Sequence, residues 1–245
     1  MKQGKDYIIF ALDVPSADRA RRLAAQLKGA VGLFKIGLEL FIQCGPELVH
    51  WIRRHTDAGV FLDLKLHDIP ATVERAMRVI AGLDVDLATV HCGESQSMLD
   101  AAVTGSMGKV DVLGVTVLTS VSAVDLRAAG YADDRVGDLR GFVLQKASMA
   151  YNAGCAGIVC SGLEVEHVKA RFGEGFLAVT PGIRPDTKSD RTDDQQRIVT
   201  PAMAVSKGAD FIVVGRPIRD AADPGAAAGR IAAEIDNSLL RKIER

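Results

Sequence analysis

The stretch "FLDLKLHDIP", residues 61–70, decides the fold. Leucine fills positions 62, 64 and 66, while Phe61, Asp63 and Lys65 occupy the positions between. Successive side chains of a strand point to opposite faces, so the leucines share one face and the two charges the other. An antiparallel strand with a wet face would account for one such D-x-K by alternation alone. In a parallel barrel the leucines would instead meet outer helices. Asp63 and Lys65 would then point inward, close to the C-terminal mouth.

What flanks the stretch favours the barrel. Short β-rich runs alternate with helical patterns along the whole chain: 7–14, 33–41, 59–68, 86–92, 111–120, 157–162, 176–183 and 211–217, each followed by a helix. Ser16 is placed to cap the first helix and Gly29 to end it, and Pro46 suits a first helical turn. Eight β-then-α units without a break in composition predict one α/β domain over residues 1–245, a single (β/α)8 TIM barrel with its active site at the C-terminal ends of the strands. An open parallel sheet is the alternative, and it would need a linker that the sequence lacks. The one long irregular stretch, 184–197, is too polar to pack and follows the seventh strand. In a compact domain such a loop is functional or disordered, and barrel active sites use the loops at the strands' C-terminal ends.

Composition narrows the class. The 245 residues are 48% hydrophobic and 25% charged, with 30 Lys+Arg against 31 Asp+Glu, so nothing offers a basic surface to a nucleic-acid backbone. Asp13 interrupts the only apolar run near the N-terminus, and no run approaches the ~20 residues of a membrane span. Cys44, Cys92, Cys155 and Cys160 form no C-x-x-C pair and have no histidine at metal-ligand spacing, and read as reduced thiols. A cytoplasmic protein without nucleic-acid or membrane partners is expected.

Buried charge is costly unless paired, so Asp63 and Lys65 call for partners. Asp13 ends the first strand in "ALD", Lys35 stands in the second in "FKIG", and Asp68 lies just past the third. Three carboxylates against two ammonium groups leave one net negative charge. Inward charge near the ends of three successive strands reads as a catalytic mouth. Two later loops are suited to an anion: "TPGIRP" (180–185) carries Gly182 and Arg184 after the seventh strand, and "VVGRP" (213–217) carries Gly215 and Arg216 after the eighth. Barrels commonly bind phosphate at these two loops, and an arginine offers a planar fork of donors. A phosphate monoester is the expected ligand.

The sequence resembles the orotidine 5′-phosphate decarboxylases. The matching elements are "ALD" at Asp13, "KIG" at Lys35, "DLKLHDIP" (63–70), "VLTS" (117–120), "TPGIRP" (180–185), "DQQRIVTP" (194–201) and "VGRP" (214–217), in the family's order and over nearly the whole chain. The resemblance implies conversion of orotidine 5′-phosphate to uridine 5′-phosphate and CO₂ in pyrimidine biosynthesis, with no cofactor and no metal. It also implies a homodimer in which Asp68 and Ile69 reach into the neighbouring subunit's site. On this likeness Lys65 protonates C6 of the pyrimidine, Asp63 sits beside the departing carboxylate, and Lys35 and the neighbour's Asp68 complete an alternating row of charge. Asp13 and Lys35 hold ribose hydroxyls, Thr119 and Ser120 meet the base, and Ile69, Thr72 and Pro181 complete the substrate pocket. Gln195, Gly215 and Arg216 take the phosphate, and Arg184 anchors the 184–197 loop or touches the phosphate itself.

The chemistry is consistent with this set. Loss of CO₂ from C6 leaves an electron pair in an sp² orbital that the ring π system cannot accept, so fixed charge must stabilise it. Two other readings stay open. One is a metal-dependent sugar-phosphate decarboxylase or synthase of the same barrel group, against which Lys35 stands where those enzymes place an acidic ligand. The other is a non-catalytic nucleotide-binding barrel. Among the histidines, His67 reads as structural and His91, ending the fourth strand, as a residue at the edge of the mouth. His50, His55 and His167 read as surface or packing residues, and Trp51 as helix packing.

Overall fold

The computed structural model describes residues 2–93, 95–185 and 198–243. Eight parallel strands close into a barrel in sequence order: β1 (Ile8–Ala11), β2 (Leu33–Gly37), β3 (Gly59–Leu66), β4 (Leu87–His91), β5 (Asp111–Val115), β6 (Gly157–Val159), β7 (Leu177–Thr180) and β8 (Phe211–Val214). Ile8 pairs with Ile212 and Ile9 with Leu33, so β1 closes the circle between β8 and β2. This is the expected (β/α)8 barrel.

Alternation divides the apolar residues into two cores. Ile9, Leu33, Phe61, Leu87, Leu113 and Val179 fill the barrel itself, joined by Val159, Leu177, Phe211 and Val213. Their strand neighbours Ile8, Phe10, Phe34, Ile36, Leu62 and Ile212 face outward into the layer between strands and helices. Leu64 and Leu66 pack against that outer layer, so the alternation read at 61–66 has the sense expected for a barrel. Side chains plug the interior at its lower levels, and barrels of this kind bind their ligands at the C-terminal mouth.

Local signals set several helix starts. Ser16 precedes the helix Ala17–Gln26, and its side chain accepts from the Arg19 amide at 3.3 Å. Pro70 opens the helix Pro70–Ile80 directly after the D-x-K-x-x-D segment, where its missing N–H costs nothing. Pro46 stands one position earlier than a first helical residue, just before Glu47–His55.

The second strand is shorter than the sequence reading of 33–41. It ends at Gly37, and Leu38–Cys44 is a helix. In that segment Leu40 is buried while Leu38 and Ile42 are exposed, a pattern that a short apolar run does not reveal by itself. The polar connection after the fifth strand contains two short helices, Ala123–Ala128 and Asp133–Gly137. A reciprocal cap between Ser122 and Asp125 starts the first of them. No helix among the described residues is long and apolar enough to cross a membrane.

Candidate active site

The charges of the first three strands meet at the mouth. Lys35 Nζ donates to Asp13 Oδ1 at 3.0 Å and lies 3.7 Å from Asp63 Oδ2. Lys65 Nζ donates to the same Asp63 oxygen at 2.8 Å. The order Asp13, Lys35, Asp63, Lys65 is therefore a row of alternating sign. Gly37 makes room for it, since a Cβ there would stand 3.3 Å from Lys35 Nζ.

Asp63 is the most enclosed member, 9% exposed. Burial alone would raise its carboxyl pKa, but the Lys35 and Lys65 ammonium groups and hydrogen bonds from Lys65 and Thr89 outweigh burial and hold it below the usual carboxylate range. The backbone beside it is irregular. Leu62 pairs with Ala88 and Leu66 with Val90, so Asp63, Leu64 and Lys65 together oppose Thr89. Lys65 has φ +51°, a left-handed conformation that lysine seldom adopts. Its N–H donates to Thr89 Oγ1 at 2.9 Å, and that hydroxyl donates to Asp63 Oδ1 at 3.0 Å.

The row forms one wall of a cavity of about 430 Å³. Thr119 and Ser120, from the segment after β5, line another part, and Pro181, Gly182 and Arg184 line it after β7. Gly182 has φ +77°, which a glycine adopts without cost, and the next residue, Ile183, forms an isolated parallel bridge with Val199. Gly215 and Arg216 complete the lining after β8, where Arg216 begins the short helix Arg216–Arg219. A methyl group at 215 would meet only ordinary contacts, 3.7 Å from Ala11 Cβ, so packing does not demand this glycine. What its absent side chain leaves open is the cavity.

Ten of the expected site residues, Asp13, Lys35, Asp63, Lys65, Thr119, Ser120, Pro181, Arg184, Gly215 and Arg216, thus share one cavity. Asp68, Ile69 and Thr72 do not line it. Asp68 is exposed and accepts from the Ile69 amide at 2.6 Å, and Ile69 is 65% exposed. Thr72 lies in the first turn of the following helix. Gln195 lies outside the described residues.

Some cavity residues escaped the sequence reading. Val115, Val117, Val159 and Cys160 supply an apolar side, legible only as strand-end positions of β5 and β6. Arg219 also lines the cavity; it donates to the Asp13 carbonyl at 2.8 Å and twice to Asp220, tying the segment after β8 to that after β1. The buried Thr89, which does not line the cavity but bonds to Asp63 and Lys65, was missed as well. His91 is not part of the cavity lining; its ring centroid lies 5.5 Å from that of His67. Burial first, then the neighbouring His67, Lys65 and Lys146, lower its pKa. Cys92 and Cys155 are buried thiols pushed up to about 12 by desolvation.

Fold and site together define a (β/α)8 barrel of the enzyme type, with paired charges at the strand ends and arginines at the two loops where barrels hold phosphate. The model of the Orotidine 5′-phosphate decarboxylase / HUMPS family matches residues 6–231, and the chain belongs to that family. It is 52% identical to an orotidine 5′-phosphate decarboxylase of Desulfosudis oleivorans, over 96% of this chain and 95% of the relative. It is 49% identical to the Anaeromyxobacter sp. (strain K) protein of the same name, over 93% and 97% of the two chains. Among solved structures, the orotidine 5′-phosphate decarboxylase of Lactobacillus acidophilus aligns with a TM-score of 0.81 and 34% identity, covering 94% of this chain and 98% of its own.

Proposed function

We propose that this chain decarboxylates orotidine 5′-phosphate to uridine 5′-phosphate and CO₂, in pyrimidine biosynthesis in the cytoplasm, with its own side chains and no cofactor. The observation that carries the reading is the alternating row Asp13, Lys35, Asp63, Lys65 on one wall of a cavity that also contains Arg184, Gly215 and Arg216.

In this reading the pyrimidine lies with C6 toward Lys65 and its carboxylate beside Asp63. The C6–carboxylate bond breaks, CO₂ leaves, and the electron pair stays on C6. The Lys65 ammonium stabilises that pair as it develops and then transfers a proton to it. Lys65 comes out neutral and regains its proton from solvent. Asp13 and Lys35 bind ribose hydroxyls, Thr119 and Ser120 the base, and Gly215, Arg216 and Gln195 the phosphate, while Arg184 anchors the 184–197 stretch or touches the phosphate itself. Binding energy from the phosphate, remote from C6, is spent on orienting the ring and closing the site. Asp68 and Ile69, exposed and outside the chain's own cavity, enter the site of a second copy in a homodimer, with Thr72 beside them.

The metal-dependent alternative is disfavoured by the geometry of Lys35. Its ammonium lies within 3.7 Å of both Asp13 and Asp63, so the cation between those carboxylates is the protein's own. The test follows the loss of orotidine 5′-phosphate absorbance with purified protein, with and without a chelator. Turnover unaffected by chelation is expected, and Lys65→Ala should lower kcat by at least ~10³-fold while the protein stays folded. No turnover, turnover abolished by chelation, or an active folded Lys65→Ala variant would each overturn the assignment.

A further inference from the structure

The irregular turn of β3 places three consecutive residues against a single residue of β4, and that residue is Thr89. In a regular parallel ladder the Lys65 N–H would meet a main-chain carbonyl of the neighbouring strand. Here it meets a side-chain hydroxyl, at 2.9 Å, while Lys65 itself is held at φ +51°. A hydroxyl has one donor and two acceptor lone pairs. Thr89 uses its donor on Asp63 Oδ1, at 3.0 Å, which leaves Asp63 Oδ2 to face both Lys65 Nζ and Lys35 Nζ. Thr89 is 1% exposed, so its hydroxyl makes these bonds away from bulk solvent.

We propose that Thr89 is a positioning residue for the reaction: its one hydroxyl fixes both the left-handed backbone from which Lys65 projects and the orientation of the Asp63 carboxylate. The inference rests on the decarboxylase reading for its kinetic consequence, though not for its structural one. Strained non-glycine backbone persists where surroundings over-determine it, and such strain gathers at functional sites. Without the hydroxyl, the Lys65 amide loses its partner and Asp63 one of the groups that orient it. The ammonium then no longer returns to one place relative to the reacting carbon.

Thr89→Val keeps the side-chain shape and removes only the hydroxyl, whereas Thr89→Ser keeps the hydroxyl and removes a methyl. With orotidine 5′-phosphate as substrate, Thr89→Val should lower kcat roughly 10- to 100-fold, because a small misplacement of a catalytic group is costly. KM should move less than about threefold, since the phosphate and ribose contacts are untouched. Thr89→Ser should stay within about threefold of wild type on both, the hydroxyl being the group that matters. Independently of activity, amide exchange followed by NMR should show the Lys65 N–H losing protection in Thr89→Val, with Leu62 and its strand neighbours unchanged.

A Thr89→Val protein with wild-type kcat and a protected Lys65 amide would overturn the proposal. So would equal impairment of the Val and Ser variants. If Thr89→Val does not fold, Thr89→Ala makes the same comparison with Thr89→Ser; failure of both to fold would make the hydroxyl a structural requirement and defeat the positioning role. A wild-type protein without decarboxylase activity would sink the functional reading alone, since the exchange comparison still reports on the backbone clamp.

Discussion

Asp63 gathers more interactions than any other member of the charge row, and its titration is therefore a measure of the whole. Two ammonium groups and the Thr89 hydroxyl hold its carboxyl below the ordinary range despite burial. A carboxylate with a depressed folded-state pKa contributes stability that is fully present above its unfolded value and fades as pH falls through the folded one. Unfolding free energies of wild type and Asp63→Asn, taken by urea titration between pH 7 and pH 3, should differ most near neutrality, with the difference shrinking below about pH 4. A constant or widening gap would mean that the pairing contributes nothing of the kind. The four charges of this row were legible in the sequence because inward-facing charge on successive strands is anomalous and period-two alternation assigns the face. Thr89 was not legible, because its role depends on a bulge that no glycine or proline announces and on a left-handed lysine that no propensity would place there. Ile69 and Thr72 became candidates only by family likeness, and so did the assignment of Asp68 to a neighbour's site, as nothing in alternation takes these residues out of their own cavity.

At the level of elements, the strands' existence was written in the alternation of apolar and polar residues, and their ends were not. The run "LELF" after Gly37 is equally apolar as strand or helix, and only tertiary packing of Leu40 beneath exposed Leu38 and Ile42 settles it. The first of the two short helices within 121–138 starts on a local cap between Ser122 and Asp125, which competes with no strand and needs no long apolar pattern. Where strands pack most tightly, glycine is demanded by space. A Cβ at Gly157 in β6 would fall 2.2 Å from the Leu177 carbonyl oxygen and 2.5 Å from Leu177 Cβ in β7. Main-chain atoms of a central strand cannot yield as a flexible side chain can, so the two strands would have to part. Gly157→Ala should destabilise the protein by roughly 1–3 kcal/mol, the range for overpacked cores, read as a lower urea midpoint at unchanged slope. An unchanged midpoint would show that the barrel wall is more compliant than its geometry implies.

The whole molecule is where sequence reading and geometry are most nearly complementary. Eight repeated units and an unbroken composition point to a closed barrel, and closure in turn brings strands one to three beside strands seven and eight, so that a charge row and two arginine-bearing loops face one cavity. One member of the expected row stays outside. Asp68 is exposed on the segment following β3, next to an isoleucine that is 65% exposed, and the proposed homodimer would carry both into the neighbouring subunit's site. A symmetric dimer that shares sites in this way has a consequence that no self-contained site has. Lys65→Ala and Asp68→Ala proteins should each be inactive alone. In a hybrid dimer, the site built around the Asp68→Ala subunit keeps its own Lys65 and receives an intact Asp68 from its neighbour, while the other site lacks both. With free exchange at equal concentrations, half the dimers are hybrids, each with one working site of two. The mixture should therefore recover up to about a quarter of wild-type activity, appearing at the rate of subunit exchange. Subunit exchange demonstrated by differently tagged chains, without any return of activity, would confine each site to a single chain and remove Asp68 from the row.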